Sequence, residues 1–308
     1  MTFINNQQEN SSKNSELRGF IKFNDYPKDL QNGELFLSKE STFMYQDPPI
    51  GDPFEGFLLN KKVPITSYKD ILSCYSKNSE SYISCFTALY ESDFENDGYI
   101  KKDTVDRLKK LDSNNKERAA VIFPKDAIIS CFDKLMCIFF YLRLRQKISD
   151  QKSKKYDAME KIYNLDELDD FDNFDNVTIK ADFIQYIDMQ IEESRTLCKD
   201  DKEKLEKWKP SDNDLSLFEK YLYKCFFEKP KKNGKYRYDI QNEYKVVLTI
   251  FATEKIKMPE NIKLKLDFSH EGIKIFKHNE LNKISRSDVM YPTFGAGGKL
   301  KSAELIYK

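Results

Sequence analysis

Two periods organise this chain. RGFIKFN at 18–24 has the look of a first strand, and ELFLS at 34–38 reads with period two, as a half-buried strand does. Asp25-Tyr26-Pro27 and Asn32-Gly33 lie between them as turn signals. EGFLLN at 55–60, YISCFT at 82–87 and the apolar run AAVIF at 119–123 predict further strands. From Lys125 the spacing becomes helical: DAIISCFDKLMCIFFYLRLRQKI, DQKSKKYDAMEKIYNL, ADFIQYIDMQIEE at 181–193, KEKLEKWKP ending at Pro210, and DLSLFEKYLYKCFFE. Strands then return in YDIQNEYKVVLTIFAT at 238–253, IKLKLDFS at 262–269 and GIKIFKH at 272–278. Strands, then helices, then strands define an α+β plan. Its mixed or antiparallel sheet system is built from N- and C-terminal strands. Residues 1–16, rich in Asn, Gln, Ser and Glu, predict a disordered start. Residues 17–308 then form a single α+β domain with a large helical insertion at about 125–227.

Composition narrows the function. Lys plus Arg and Asp plus Glu both number 51 in 308 residues, so no global field favours DNA, RNA or an anionic membrane. The basic stretch KPKKNGKYRY at 229–238 is the best candidate for a nucleic-acid or polyanion contact, and the block 125–227 for docking a partner protein. No apolar run approaches the length of a membrane span or a signal peptide, which predicts a cytoplasmic protein. The acidic run DELDDFDNFDN at 166–176 reads as a solvated loop. Six scattered cysteines without a CxxC pair read as reduced and structural. With only His270 and His278, a His/Cys zinc site is not expected and no metal ligands are assigned; a carboxylate-bound Mg²⁺ or Mn²⁺ stays open.

Candidate chemistry centres on QNEYK at 241–245. A strand starting at Gln241 sets Gln241 and Glu243 on one face and directs a carboxylate from an otherwise apolar strand. Gln-x-Glu is similar to the motif of ADP-ribosyltransferases, whose Glu stabilises the positive ribosyl centre as nicotinamide leaves NAD. Glu243-x-Lys245 also has the form of half a restriction-type nuclease site, with Glu binding Mg²⁺ and Lys polarising water; that reading needs an upstream Asp at suitable spacing, and Asp239 is too close. The bland alternative is an edge-strand Glu243 paired with Lys245 or Arg237 in solvent. In GDPFEG at 51–56, Asp52 suits a turn cap beside Pro53, whereas Glu55 stands between Phe54 and Gly56 without such an explanation. Ser84 and Thr87 could hold a ribose or pyrophosphate, and Arg18 and Lys22 a phosphate. FGAGGK lacks Walker A spacing and reads as a loop.

Taken in order, NGELFLSKESTF, GDPFEG, ISCFT and NEYKVV resemble a large, poorly characterised family of bacterial and phage domains. Its members carry "FNDPFE", "CFS" and late "E-x-EYR" segments and occur in defence and mobile-element settings. The match rests on Asp52, Pro53, Phe54, Glu55, Cys85, Phe86, Thr87, Glu243 and Tyr244. Lys245 stands where the family has Arg, Gln241 where it often has Glu, and Met44–Ile50 is an extra loop. The resemblance implies a divergent ADP-ribosyltransferase layout: a first-strand cation (Arg18 or Lys22), a middle-strand hydroxyl (Ser84 or Thr87) and a late-strand Glu243. It implies a toxin-like antiviral effector with NAD as substrate, Glu243 and Gln241 catalytic, and Arg18, Lys22, Ser84, Thr87 and Glu55 binding. A non-enzymatic binding module of a defence complex and a Mg²⁺-dependent nuclease are the alternatives.

Overall fold

The structure is a computed structural model that describes residues 16–44, 55–60, 63–67, 78–112, 117–146, 162–163, 174–187, 222–233, 236–252, 258–266 and 272–290. The turn assigned to Asp52, the FGAGGK loop, the KEKLEKWKP helix, residues 1–15 and most of the acidic run lie outside them.

The chain opens with β1 (Leu17–Asn24), α1 (Pro27–Gln31), β2 (Glu34–Lys39) and α2 (Glu40–Met44). A small antiparallel pair follows, β3 (Phe57–Asn60) with β4 (Val63–Ser67), and then the long β5 (Asn78–Tyr90). Next come α3 (Lys102–Leu111), β6 (Ala119–Pro124), the 22-residue α4 (Lys125–Gln146), β7 (Ile162–Tyr163) and β8 (Phe174–Phe183). β9 (Gln185–Ile187) runs parallel to β10 (Glu228–Pro230), and β11 (Lys232–Asn233) pairs with β12 (Tyr236–Arg237). β13 (Glu243–Ala252), β14 (Asn261–Lys265) and β15 (Lys274–Phe276) complete the described strands.

Nine strands form one sheet in which every pairing is antiparallel, as the α+β plan expects. Its centre is a fork. Along one edge β5 pairs with β13 from Asn78 to Thr87, and β13 pairs onward with β8. Along the other edge it pairs with two different strands: β1 over Thr87–Tyr90, and β2 at Tyr82 and Ile83. Ser84, Cys85 and Phe86 fall between these two prongs, one continuing into β6 and β15, the other into β14 and β7. Gly19 permits the close contact of the first prong, since a Cβ there would lie 2.5 Å from the Phe123 carbonyl oxygen.

The two faces of the sheet are packed differently. One carries a continuous core of Phe20, Tyr82, Phe86, Tyr244, Val246 and Leu248, covered by Ile128, Phe132 and Leu135 of α4. The other carries two clusters: Leu89, Ile21 and Ile122 with Val105 and Leu108 of α3, and Ile83, Val247 and Phe251 with Phe226 and Phe227. On this face β5 presents Leu89, Thr87, Cys85 and Ile83 in turn, so Thr87 and Cys85 occupy the interval between the clusters.

Two expectations are corrected. The helix read over 181–193 is strand at 181–183 and 185–187, because buried Val177 and Ile179 alternate with half-buried Thr178 and Lys180 and dock on β13. Gln241 is not in a strand. Asp239–Gln241 is a 3-10 turn, Asn242 takes left-handed backbone angles (φ 47°, ψ 51°), and the strand starts at Glu243.

Candidate functional site

Four charged side chains meet in the interval between the two apolar clusters. Glu243 opens β13 opposite Thr87, and Lys245, two residues on and therefore on the same face, lies opposite Cys85. Lys229 comes from β10, whose partner β9 brings Tyr186 close enough for its hydroxyl to accept the Glu243 backbone N–H at 3.2 Å. Glu55 enters from the turn before β3, beside Gly56 with φ at 74°.

The four alternate in sign. Lys245 Nζ donates to Glu55 Oε1 at 2.5 Å and lies 3.8 Å from Glu243 Oε1; Lys229 Nζ donates to Glu243 Oε2 at 2.9 Å and lies 3.1 Å from Glu55 Oε2. All four are buried, Lys245 completely. A closed ring of two cations and two anions is electrically neutral, which is the condition under which charges tolerate an interior. Burial opposes ionisation of Glu243, but the Lys229 and Lys245 ammonium groups outweigh it, with hydrogen bonds from Cys85 and Lys229, and hold its carboxyl down to about 2. Burial, reinforced by the Glu243 charge, pushes the Cys85 thiol well up, so this cysteine is protonated. Glu243 Oε1 makes no hydrogen bond among the described residues.

The ring borders a cleft of about 620 Å³ whose lining includes residues of β1, β2 and β5 at the fork. A cleft of that size suits a nucleotide-sized ligand. Glu55, Glu243 and Lys229 line it together with Ser84, Thr87, Gln241, Lys22 and Arg118. Lys22 reaches from the end of β1 across the gap, donates to the Cys85 carbonyl at 2.8 Å and lies 5.2 Å from the centre of the Phe86 ring. Burial, with the Arg118 charge adding to it against the attraction of Glu243, pushes the Lys22 ammonium down to about 8. Ser84 Oγ is buried and has no hydrogen-bond partner among the described residues.

Six of the seven residues named from sequence therefore share one cleft: Glu243, Gln241, Lys22, Ser84, Thr87 and Glu55. Arg18 does not line it. Its guanidinium is tied to Glu91 at 2.6 Å and Glu16 at 3.1 Å, since a bulge at Arg18 turns it out of register. The solvent-paired reading of Glu243 is also corrected: its partners are buried lysines, and Arg237 is exposed and paired with Asp239. Lys229 and Arg118 were missed. Lys229 is the first lysine of a stretch that reads as a basic surface run, and only the preceding Phe226-Phe227 hints at its burial. Arg118 carries no local signal.

No family model, curated protein or solved structure matches the chain. Among the described residues, no three His, Cys, Asp or Glu side chains converge as metal ligands, and no helix is long and apolar enough to cross a membrane.

Proposed function

We propose that the fork cleft is the active site of a toxin-like intracellular effector, of a defence or mobile-element system, that splits NAD or transfers its ADP-ribose. One observation carries this reading: the strands bearing Lys22, the hydroxyl residues Ser84 and Thr87, and Glu243 are neighbours in the order β1, β5, β13, and all four residues line one cleft. NAD is the substrate. As the bond between ribose C1′ and the nicotinamide nitrogen breaks, its electron pair leaves with nicotinamide and positive charge develops on the ribosyl ring. The Glu243 carboxylate, ionised at any physiological pH, stabilises that charge through Oε1. Water or an acceptor hydroxyl then adds at C1′ and loses its proton to solvent water. Ser84 and Thr87 hold the ribose, Lys22 the pyrophosphate, Gln241 orients ribose or acceptor, and Glu55 keeps the two lysines from quenching Glu243 completely. A protein partner, where one regulates the enzyme, is assigned to block 125–227, since α4 already gives one side to the sheet.

The test is incubation of the purified protein with NAD and candidate acceptors. Nicotinamide release that disappears in Glu243→Gln is expected. No NAD loss, no modified acceptor and unchanged cell toxicity of Glu243→Gln would together refute the proposal.

A second reading, a Mg²⁺-dependent nuclease, is favoured by the convergence of Glu55 and Glu243 on one ammonium group, with Lys245 following Glu243 by two residues. In this reading Glu55 would stand in for the upstream Asp of that motif. This reading predicts metal-dependent nucleic-acid cleavage that is lost in Lys245→Ala.

A further inference from the structure

Four large apolar side chains are exposed among the described residues: Tyr26 (65%), Tyr99 (53%), Met290 (40%) and Phe36 (38%). Tyr26 and Phe36 both stand on the cleft, one from each prong: Tyr26 just beyond β1, and Phe36 on the outward face of β2 while Leu35 and Leu37 are buried. Phe36 already has a cation near its ring, Lys263 Nζ at 5.1 Å. Aromatic rings left in water at the two sides of one opening are what a planar ligand group needs for stacking.

Behind them stand two cations with unused capacity. Lys22 gives its ammonium to the Cys85 carbonyl and has no carboxylate partner among the described residues. Arg118 gives its backbone N–H and Nε to the buried Asp112 at 2.9 and 2.7 Å, which fixes the guanidinium, while its two terminal amino groups make no hydrogen bond to a described residue. Both line the cleft, and each repels the other's charge. An anion between them relieves that repulsion and matches the forked donors of arginine.

We infer that the cleft recognises a nucleoside phosphate by both ends, with Arg118 and Lys22 clamping the phosphate and Tyr26 and Phe36 stacking the base. The inference rests on the cleft being a ligand site, and not on the chemistry assigned to Glu243.

The experiment is titration calorimetry of the full chain with adenosine monophosphate and with ribose 5-phosphate, which lacks the base. Adenosine monophosphate is expected to bind roughly ten-fold or more tightly than ribose 5-phosphate. Tyr26→Ala and Phe36→Ala should each remove most of that difference while leaving ribose 5-phosphate binding unchanged; Tyr99→Ala, an equally exposed ring elsewhere, should leave both unchanged. Lys22→Met should weaken both ligands. Equal affinity for the two ligands, no saturable binding, or a Tyr26→Ala effect no larger than that of Tyr99→Ala overturns the inference. Binding that follows the expected pattern in a protein that does not consume NAD upholds the inference and removes only the proposed reaction.

Discussion

Replacing Glu55 by Gln keeps the shape of the charged ring and removes one of its two negative charges. In the native ring, Glu55 receives Lys245 at 2.5 Å and Lys229 at 3.1 Å. At an effective dielectric near 20 each contact is worth about 5–7 kcal/mol before desolvation. Removing several ions from water cancels most of that sum, so the pair's net value is small, while the loss of one member is not. After Glu55→Gln, fully buried Lys245 keeps only the Glu243 oxygen at 3.8 Å, and the ring holds one surplus positive charge. A loss of about 3–5 kcal/mol is expected. Adding Lys245→Met restores neutrality, leaving the Lys229–Glu243 pair intact, and should recover about 2–4 kcal/mol. Urea unfolding at pH 7, comparing midpoints at constant m-value, measures all three variants. A single-variant loss below about 1 kcal/mol, or a double variant no more stable than Glu55→Gln, would show that charge neutrality does not govern this site.

Lys22 has a folded-state pKa of about 8 against 10.5 when free, so between these values the unfolded chain binds more protons and stability rises with pH. Relative to Lys22→Met, the wild type should gain about 1–2 kcal/mol between pH 8 and 9.5, read from urea midpoints across that range; a constant difference would contradict the buried ammonium. Asn242, in left-handed backbone before β13, should tolerate Gly, whereas Ala should lose about 1 kcal/mol in the same assay. Gly19→Ala forces a Cβ to within 2.5 Å of the Phe123 carbonyl and 2.8 Å of Val289 Cβ, and a loss of about 1–3 kcal/mol with a lowered Tm is expected; an unchanged Tm would mean the first prong yields freely.

Of the fork's strands, β2 was legible by its period of two, with Leu35 and Leu37 buried and Phe36 exposed, and β1 and β5 as short apolar runs, since both of their faces are buried: Phe20 and Ile21, Tyr82 and Ile83. α4 was legible from its helical spacing. β8 was not, because Phe183, Ile184 and Ile187 imitate helical spacing where a turn separates two strands. The carboxylates Glu55 and Glu243 could be singled out as unexplained charges in apolar settings. Their convergence could not be read, since Glu55 and Lys245 are 190 residues apart and meet only through β5 and the β9–β10 pair. Lys229 shows why composition misleads: within a run of lysines, one buried ammonium has the same local signature as its solvated neighbours.

The fork also has a kinetic meaning. No wall of the cleft is local: its residues come from the chain near 22–26, 36–43, 55, 83–87, 118, 229 and 241–243, and the Ser81–Thr249 hydrogen bond beside it closes a span of 168 residues. Such high contact order makes for slow folding, because loop-closure entropy is lost before long-range pairings compensate. The cleft therefore assembles only when β13 has found β5, and no proteolytic fragment lacking β1 or the start of β13 carries all of its walls. A nascent chain must expose residues as far as Asn261 before every wall of the cleft is present.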